Sequence, residues 1–231
     1  MLDCDRDLLA HKAVDAQQQG CTMCLLLIQP LPGADLRQLT YRLTVANLGD
    51  SRLLLLDAQG RLVFQTLDHK PEHPLERARI ERAGGFVAQA RVDHVLALSR
   101  ALGDGQFKRR ADLPPPQQKV SCEPDLLELP VYSGFTLVMF CDGLVEALSN
   151  LQVAEFVAAH LRAASPLQPF DAGRVCSELV DYGIVAGSRD NISVLIMHLG
   201  DGSDYNHAPE RYAPTLAQIQ QRFRGSAAAS P

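Results

Sequence analysis

The sequence predicts an α+β fold of helices and antiparallel strands, and three stretches carry that reading. Phe135 to Cys141 is apolar apart from Thr136 and too short for an ordinary helix, so it reads as a strand covered on both faces. Ile192 to Leu199 is a second apolar, β-branched run, and two helical patterns lie between the two. A strand, a helix, a helix and a strand return the chain to the sheet edge it left. In the first half, Leu39, Tyr41, Leu43 and Val45 alternate with polar residues, the period of a half-buried strand.

In chain order, Met1 to about Ala16 reads as the end of a helix and its exit. Cys21 to Gln29 is a strand, Pro30 to Asp35 a loop with Pro-Gly chemistry, and Leu39 to Ala46 the next strand. Asn47 to Ser51 turns, Arg52 to Leu56 returns, Asp57 to Gly60 turns again and Arg61 to Leu67 goes back, which predicts a three-strand antiparallel meander. Pro74 to Ala83 is a short helix with proline in its first turn, with Leu75, Ile80 and Ala83 inward and Gly84-Gly85 ending it. Val92 to Leu98 reads as a strand, Ser99 to Gly105 as a turn, and Asp112 to Lys119, with Pro114-Pro115-Pro116, as a surface excursion.

The two later helices are better marked. Ser149 or Asn150 caps the first, with Val153, Phe156, Val157 and Leu161 on one face. The second runs from about Asp171 to Ala186, with Val175, Leu179, Tyr182 and Val185 recurring every three or four positions and Gly187 as its stop. Past Leu199 the core pattern ends. Gly200 to Pro214 is polar, Thr215 to Phe223 fits one short helix, and Gly225 to Pro231 is a small-residue tail expected to be disordered.

At 231 residues and 46% apolar, the chain can bury one core, so residues 1–200 are expected to form one domain and 201–231 an extension. A net charge of -5 gives no global basic field for nucleic acid. The local basic groups Arg77, Arg79 and Arg82, and Lys108, Arg109 and Arg110, read as solvated faces. No apolar run has the length of a membrane span, and the acidic start does not resemble a signal peptide, so an intracellular protein, cytoplasmic or nuclear, is expected. The six cysteines mostly sit inside apolar patterns, as in a reducing compartment, and Cys21-Thr-Met-Cys24 reads as strand packing ahead of redox chemistry.

The chemistry lies at the strand ends. Asp142 closes the apolar run at Cys141, and Asp190 precedes the run that returns beside it. The strand-helix-helix-strand path brings both carboxylates to one edge, where they repel unless a proton or a cation lies between them. A hard divalent cation, Mg2+ or Mn2+, takes one or two carboxylates and keeps several waters. Taken singly, each aspartate reads first as a turn or helix cap, and it is the paired placement that turns the reading toward a metal.

Several local strings in order resemble the type 2C metal-dependent protein phosphatases: Ala46-Asn-Leu-Gly-Asp-Ser-Arg52, Asp68-His-Lys-Pro71, Glu76 through Ala83-Gly-Gly85, Leu98-Ser-Arg-Ala-Leu-Gly-Asp104, Cys141-Asp-Gly143 and Gly187-Ser-Arg-Asp-Asn191. The match runs from about Leu2 to Leu199. It implies a two-sheet, mostly antiparallel β-sandwich flanked by helices, and hydrolysis of phosphoserine and phosphothreonine proteins by a metal-activated water. Under it, Asp142 and Asp190 match metal ligands, Asp68 matches a weaker further site whose bland alternative is a turn carboxylate, and Gly105 to Gln118 matches a flap beside the active site. Glu146 stands where the family usually has Asp, and Val145 where it usually has Trp. The longer carboxylate of Glu146 is the weakest of the expected ligands.

The family's Asp-Gly-His-Gly-Gly motif, which supplies the carboxylate bridging two metals, and the phosphate-gripping Arg before it do not occur in these residues. The Asp-Gly pairs at Asp104, Asp142 and Asp201 are followed by Gln, Leu and Ser. The expectation is a chain that begins after the family's first third, with no catalytic residue of its own identified. Three readings stay open: a phosphatase inactive as this N-terminally incomplete chain, a pseudophosphatase that binds phosphoproteins or regulates a partner, and another metal-dependent phosphoesterase using the same aspartates.

Overall fold

The computed structural model describes residues 1–31 and 40–200. Helix α1 (Leu2–Ala10) leads into strands β1 (Gly20–Cys21), β2 (Met23–Pro30), β3 (Thr40–Leu48), β4 (Arg52–Leu56) and β5 (Leu62–Gln65), then helix α2 (Pro74–Arg82). Three short strands, β6 (Val87–Ala88), β7 (Arg91–Val92) and β8 (Leu102–Gly103), and two 3-10 turns, Gly105–Phe107 and Pro115–Gln117, come before β9 (Asp125–Tyr132) and β10 (Thr136–Phe140). The chain continues through α3 (Asp142–Val145), α4 (Asn150–Ala163), α5 (Ala172–Val185) and β11 (Val194–His198).

Two antiparallel sheets face each other. One has the order β11-β10-β4-β5 and the other β2-β3-β9, while β1 pairs with β8 and β6 with β7. The reason is visible in β4, whose leucines run without a polar break. Leu53 and Leu55 pack with Tyr41, Leu43, Val45, Val131 and Leu137 between the sheets. Leu54 and Leu56 point the other way, onto Val153 and Val157 of α4 and Val175 and Leu179 of α5. Side chains alternate along a strand, so such a run is stable only with both faces covered. Each leucine so buried contributes roughly 1.5–3 kcal/mol.

The far side of the three-stranded sheet differs. Leu25, Leu27 and Leu126 stand there 50%, 49% and 69% exposed among the described residues. A separate cluster of Ile80, Val92, Ala101, Phe107 and Val120 seats α2 and the segment after it.

The later half follows the expectation closely. β10 and β11 pair from Thr136↔His198 to Phe140↔Val194. Ser149 accepts from Gln152 N while the Gln152 side chain accepts from Ser149 N, a capping box that opens α4. Asp171 caps α5, and Gly187 at φ +106° ends it.

The first half departs from it. The meander does not form, because β3 and β4 belong to different sheets and, of its three strands, only β4 and β5 pair as a hairpin. The turn between β3 and β4 has Gly49 at φ +101°, where a Cβ would lie 2.4 Å from Thr22 Cγ2, so the chain crosses from sheet to sheet through a glycine-only corner. Thr22 likewise divides the expected strand into β1 and β2, and its Oγ1 lies 2.7 Å from Ser51 Oγ. The expected strand over Val92 to Leu98 shrinks to two residues and a bridge, since Asp93 and His94 have positive φ. Leu75 and Val185 face outward, and Glu76 and Gly183 occupy the buried positions instead. Leu39, most of the loop up to it, and the expected helix and tail past Gly200 lie outside the described residues.

Candidate metal-binding edge and its supporting network

Phe140 ends β10, and Asp142 opens α3 at the sheet edge. The crossing is stitched by Cys141: its N–H donates to Ser193 O at 3.2 Å, its thiol to Asn191 O at 3.2 Å, and its sulfur accepts from Ser193 N at 3.2 Å. Ser188 Oγ donates to Gly143 O at 2.7 Å, and Asn191 N donates to Asp190 Oδ1 at 2.7 Å. Asp142-Gly143 and Asp190-Asn191 are therefore in direct contact, as the strand-edge argument requires.

The electrostatics agree. Burial pushes the Asp142 carboxyl above its ordinary range, and the charges of Asp50 and then Asp190 push it further, while Lys70 opposes them. Asp50 is buried and paired with Lys70. Sequence reasoning read Asn47 to Arg52 as a structural turn and missed Asp50. No local signal marked it, because the strand before it alternates with polar residues and its approach to Asp142 is made only in the fold.

Asp68 and Glu146 are placed differently. Asp68 is held by Arg52 through Nε to Oδ1 at 2.7 Å and Nη2 to Oδ2 at 3.0 Å, and Arg52 Nη1 donates to Asn150 Oδ1 at 2.8 Å. Asn150 Nδ2 donates in turn to Gln65 Oε1 at 2.8 Å, so Asp68 belongs to a polar clasp joining β4, β5 and α4. Glu146 is exposed just past α3, and among the described residues its side chain has no hydrogen bond or ion pair.

A second network holds the Asp50 turn. His69 Nδ1 accepts from Gly49 N at 3.0 Å, which leaves the ring proton on Nε2, 3.2 Å from Asp125 Oδ2 but outside hydrogen-bond geometry. Burial and then the Arg100 charge lower the His69 pKa, so the ring is neutral at pH 7. Ser99 Oγ lies 2.6 Å from Glu76 Oε2 and 2.9 Å from His69 O, so its single proton is shared between two acceptors, with the carboxylate the nearer. Glu76 also receives Arg79 at 2.7 Å and Arg100 at 2.7 Å, and Arg100 reaches Asp125 at 2.9 Å. Burial opposes ionisation of Glu76, but the Arg100 hydrogen bond, the Arg79 charge and the Ser99 hydrogen bond outweigh it and bring the carboxyl to about 2.

Among the described residues, no three carboxylate, imidazole or thiol groups close into a cage. Asp142, Asp190 and Asp50 nonetheless offer oxygen alone, in a crowded acidic edge answered by Lys70. That donor set fits a hard cation which retains most of its water, and not zinc, which prefers nitrogen and sulfur.

With this fold and edge in place, the class follows: the chain belongs to the protein phosphatase 2C family, whose sequence model, described as "Protein phosphatase 2C", matches residues 3–192. Among its relatives are "Protein phosphatase ppm-1.A" of Caenorhabditis elegans, 32% identical over 230 residues (97% of this chain, 46% of that one), and "Protein phosphatase 1A" of Homo sapiens, 36% identical over 192 residues (82% and 46%). A crystal structure of a phosphatase from a pathogenic strain of Toxoplasma gondii superposes with a TM-score of 0.66 at 38% identity, covering 70% of this chain and 49% of that one. The chain spans about half the length of the curated relatives it matches.

Proposed function

We propose that this chain carries part of the metal-binding machinery of a serine/threonine protein phosphatase, with Asp142 and Asp190 holding one Mg2+ or Mn2+ and a phosphoserine or phosphothreonine protein as the substrate. The observation that carries the reading is the contact of Asp142-Gly143 with Asp190-Asn191 beside buried Asp50. A bound divalent cation supplies Lewis acidity toward a phosphoryl oxygen and acidifies its water. The chain's own residues fix the two carboxylates through Cys141, Ser188 and Asn191, and Lys70 pairs with Asp50 beside them. Asp68, committed to Arg52, and exposed Glu146 are the weaker ligands.

The 231 residues contain no Asp-Gly-His-Gly-Gly, so these residues would lack the carboxylate needed to hold a second cation, and this chain on its own should show little or no turnover even with abundant manganese. The second reading is a pseudophosphatase that binds phosphoproteins without hydrolysing them. Calorimetric titration with manganese tests the site. Asp142→Asn and Asp190→Asn should weaken binding alike, and an effect from only one would show that the carboxylates do not share a cation. Turnover of a phosphothreonine peptide at the rate of a complete family member would refute the low-activity reading. Cleavage of phosphodiesters in place of the phosphopeptide would point to another phosphoesterase.

A further inference from the structure

A cavity of 220 Å³ lies beside the C-terminal end of α2, lined by Ala83, Gly84, Gln106, Phe107, Arg109, Arg110 and Lys119. Its wall carries three cationic side chains and no acidic one. The carboxylates that answer two of them stand outside the lining: Asp112 pairs with Arg110 at 2.6 Å, and Asp93 with Lys119 at 2.7 Å. Arg109 is exposed and has no ion-pair partner among the described residues. An unanswered guanidinium in a cationic cleft suits an oxyanion, and Phe107 and Ala83 add apolar side chains to the same lining. The volume is below the range of most drug-sized ligand sites and suits one anionic side chain.

The cleft is fixed to the aspartate edge by an unbroken polar path. Gln118 accepts from Arg110 N at 3.1 Å and donates to Arg110 O at 2.7 Å, while its own carbonyl accepts from Arg79 Nε at 3.1 Å. Arg79 meets Glu76, Glu76 meets Ser99, Ser99 meets His69, and His69 holds the Gly49 amide next to Asp50.

We infer that this cleft is a subsite for an acidic side chain, a carboxylate or a second phosphate, on the phosphoprotein whose phosphoester faces the aspartate edge; the inference rests on the phosphatase reading. Arg109 is its main recognition group, with Arg110 and Lys119 as flanking charges.

The test measures binding by fluorescence anisotropy, with the full chain and manganese. The probes are phosphothreonine peptides of one length whose flanking positions carry Glu, a second phosphothreonine or Gln. The acidic peptides should bind about fivefold more tightly than the Gln peptide. Arg109→Gln should abolish that preference and Arg109→Glu reverse it, with circular dichroism unchanged because Arg109 supports no other group. A preference for the second phosphate over Glu assigns the source as phosphate, and equal preference assigns any peptide-borne anion. Equal binding of acidic and Gln peptides, no binding of any peptide, or a preference that survives Arg109→Glu overturns the proposal. The acidic peptide with plain threonine at the scissile position separates the two readings: if it binds as well as its phosphorylated form and still depends on Arg109, the subsite stands and the phosphatase reading fails.

Discussion

Gly143 lies so close to Asn191 that a Cβ on the glycine would sit 2.3 Å from the Asn191 carbonyl oxygen. The obstacle is backbone, which cannot swing aside as a flexible side chain can. Gly143→Ala should therefore push the two aspartate segments apart, costing about 1–3 kcal/mol of stability. It should also weaken manganese binding at least as much as Asp142→Asn does, although it removes no charge. Calorimetry alongside urea unfolding checks both effects.

Lys70 competes with any cation for Asp50. Lys70→Gln should tighten manganese binding about fivefold by returning one unpaired carboxylate to the edge. The same variant should be less stable than the parent without metal and recover on adding it, which manganese-dependent thermal unfolding would show.

Glu76 is the ionic centre of the network around α2. Glu76→Gln leaves Arg79 and Arg100 without their shared carboxylate and should cost about 3 kcal/mol. Its pKa is about 2 in the fold against an ordinary 4.5, so the unfolded chain takes up the proton first as pH falls. The stability it contributes is full above about 4.5 and is lost progressively toward 2. Urea unfolding at pH 7, 4 and 3 should show that loss in the parent and a flatter profile in the variant.

Leu25, Leu27 and Leu126 put an apolar surface on the outer side of a sheet whose edge strands, β2 and β9, have no further partner among the described residues. The isolated chain should self-associate and unfold over a broad range. Leu27→Lys with Leu126→Lys should shift its size-exclusion profile toward monomer without changing manganese affinity. A sharp unfolding transition from a monomeric parent would show that this face needs no cover.

The legible parts of the sequence were those whose neighbours along the chain decide the outcome. The runs at Phe135 and Ile192, the cap at Ser149 and the stop at Gly187 each carry a local signal, and together they placed Asp142 against Asp190. What failed depended on distant partners. The sheet that β3 joins is set by β9, far along the chain, and by the corner at Gly49, and neither periodicity nor turn composition reveals that choice. Asp50 was overlooked for the same reason, since its proximity to Asp142 exists only after β4 pairs with β10. Leu75 was expected inward, whereas Glu76 takes the buried position. The arginines that make burial of Glu76 tolerable come partly from elsewhere, Arg79 from the same helix and Arg100 from beyond the β6-β7 hairpin.

The pairing of β3 with β9 and of β4 with β10 also sets the order in which the molecule can assemble. The β2-β3 and β4-β5 hairpins close locally as the chain is made, but each offers a bare edge until the segment from Asp125 to Phe140 has emerged. During synthesis the first half must therefore wait with its leucine-rich strands half covered, the condition under which slow, long-range β pairing becomes a hazard. Once Thr136 aligns with Leu56 and Tyr132 with Thr40, one sheet gains β9 and the other β10 from a single continuous stretch, with β11 still to follow. A ribosome stalled just short of that stretch would release two unfinished sheets, whereas one stalled just beyond it would release both with these pairings made.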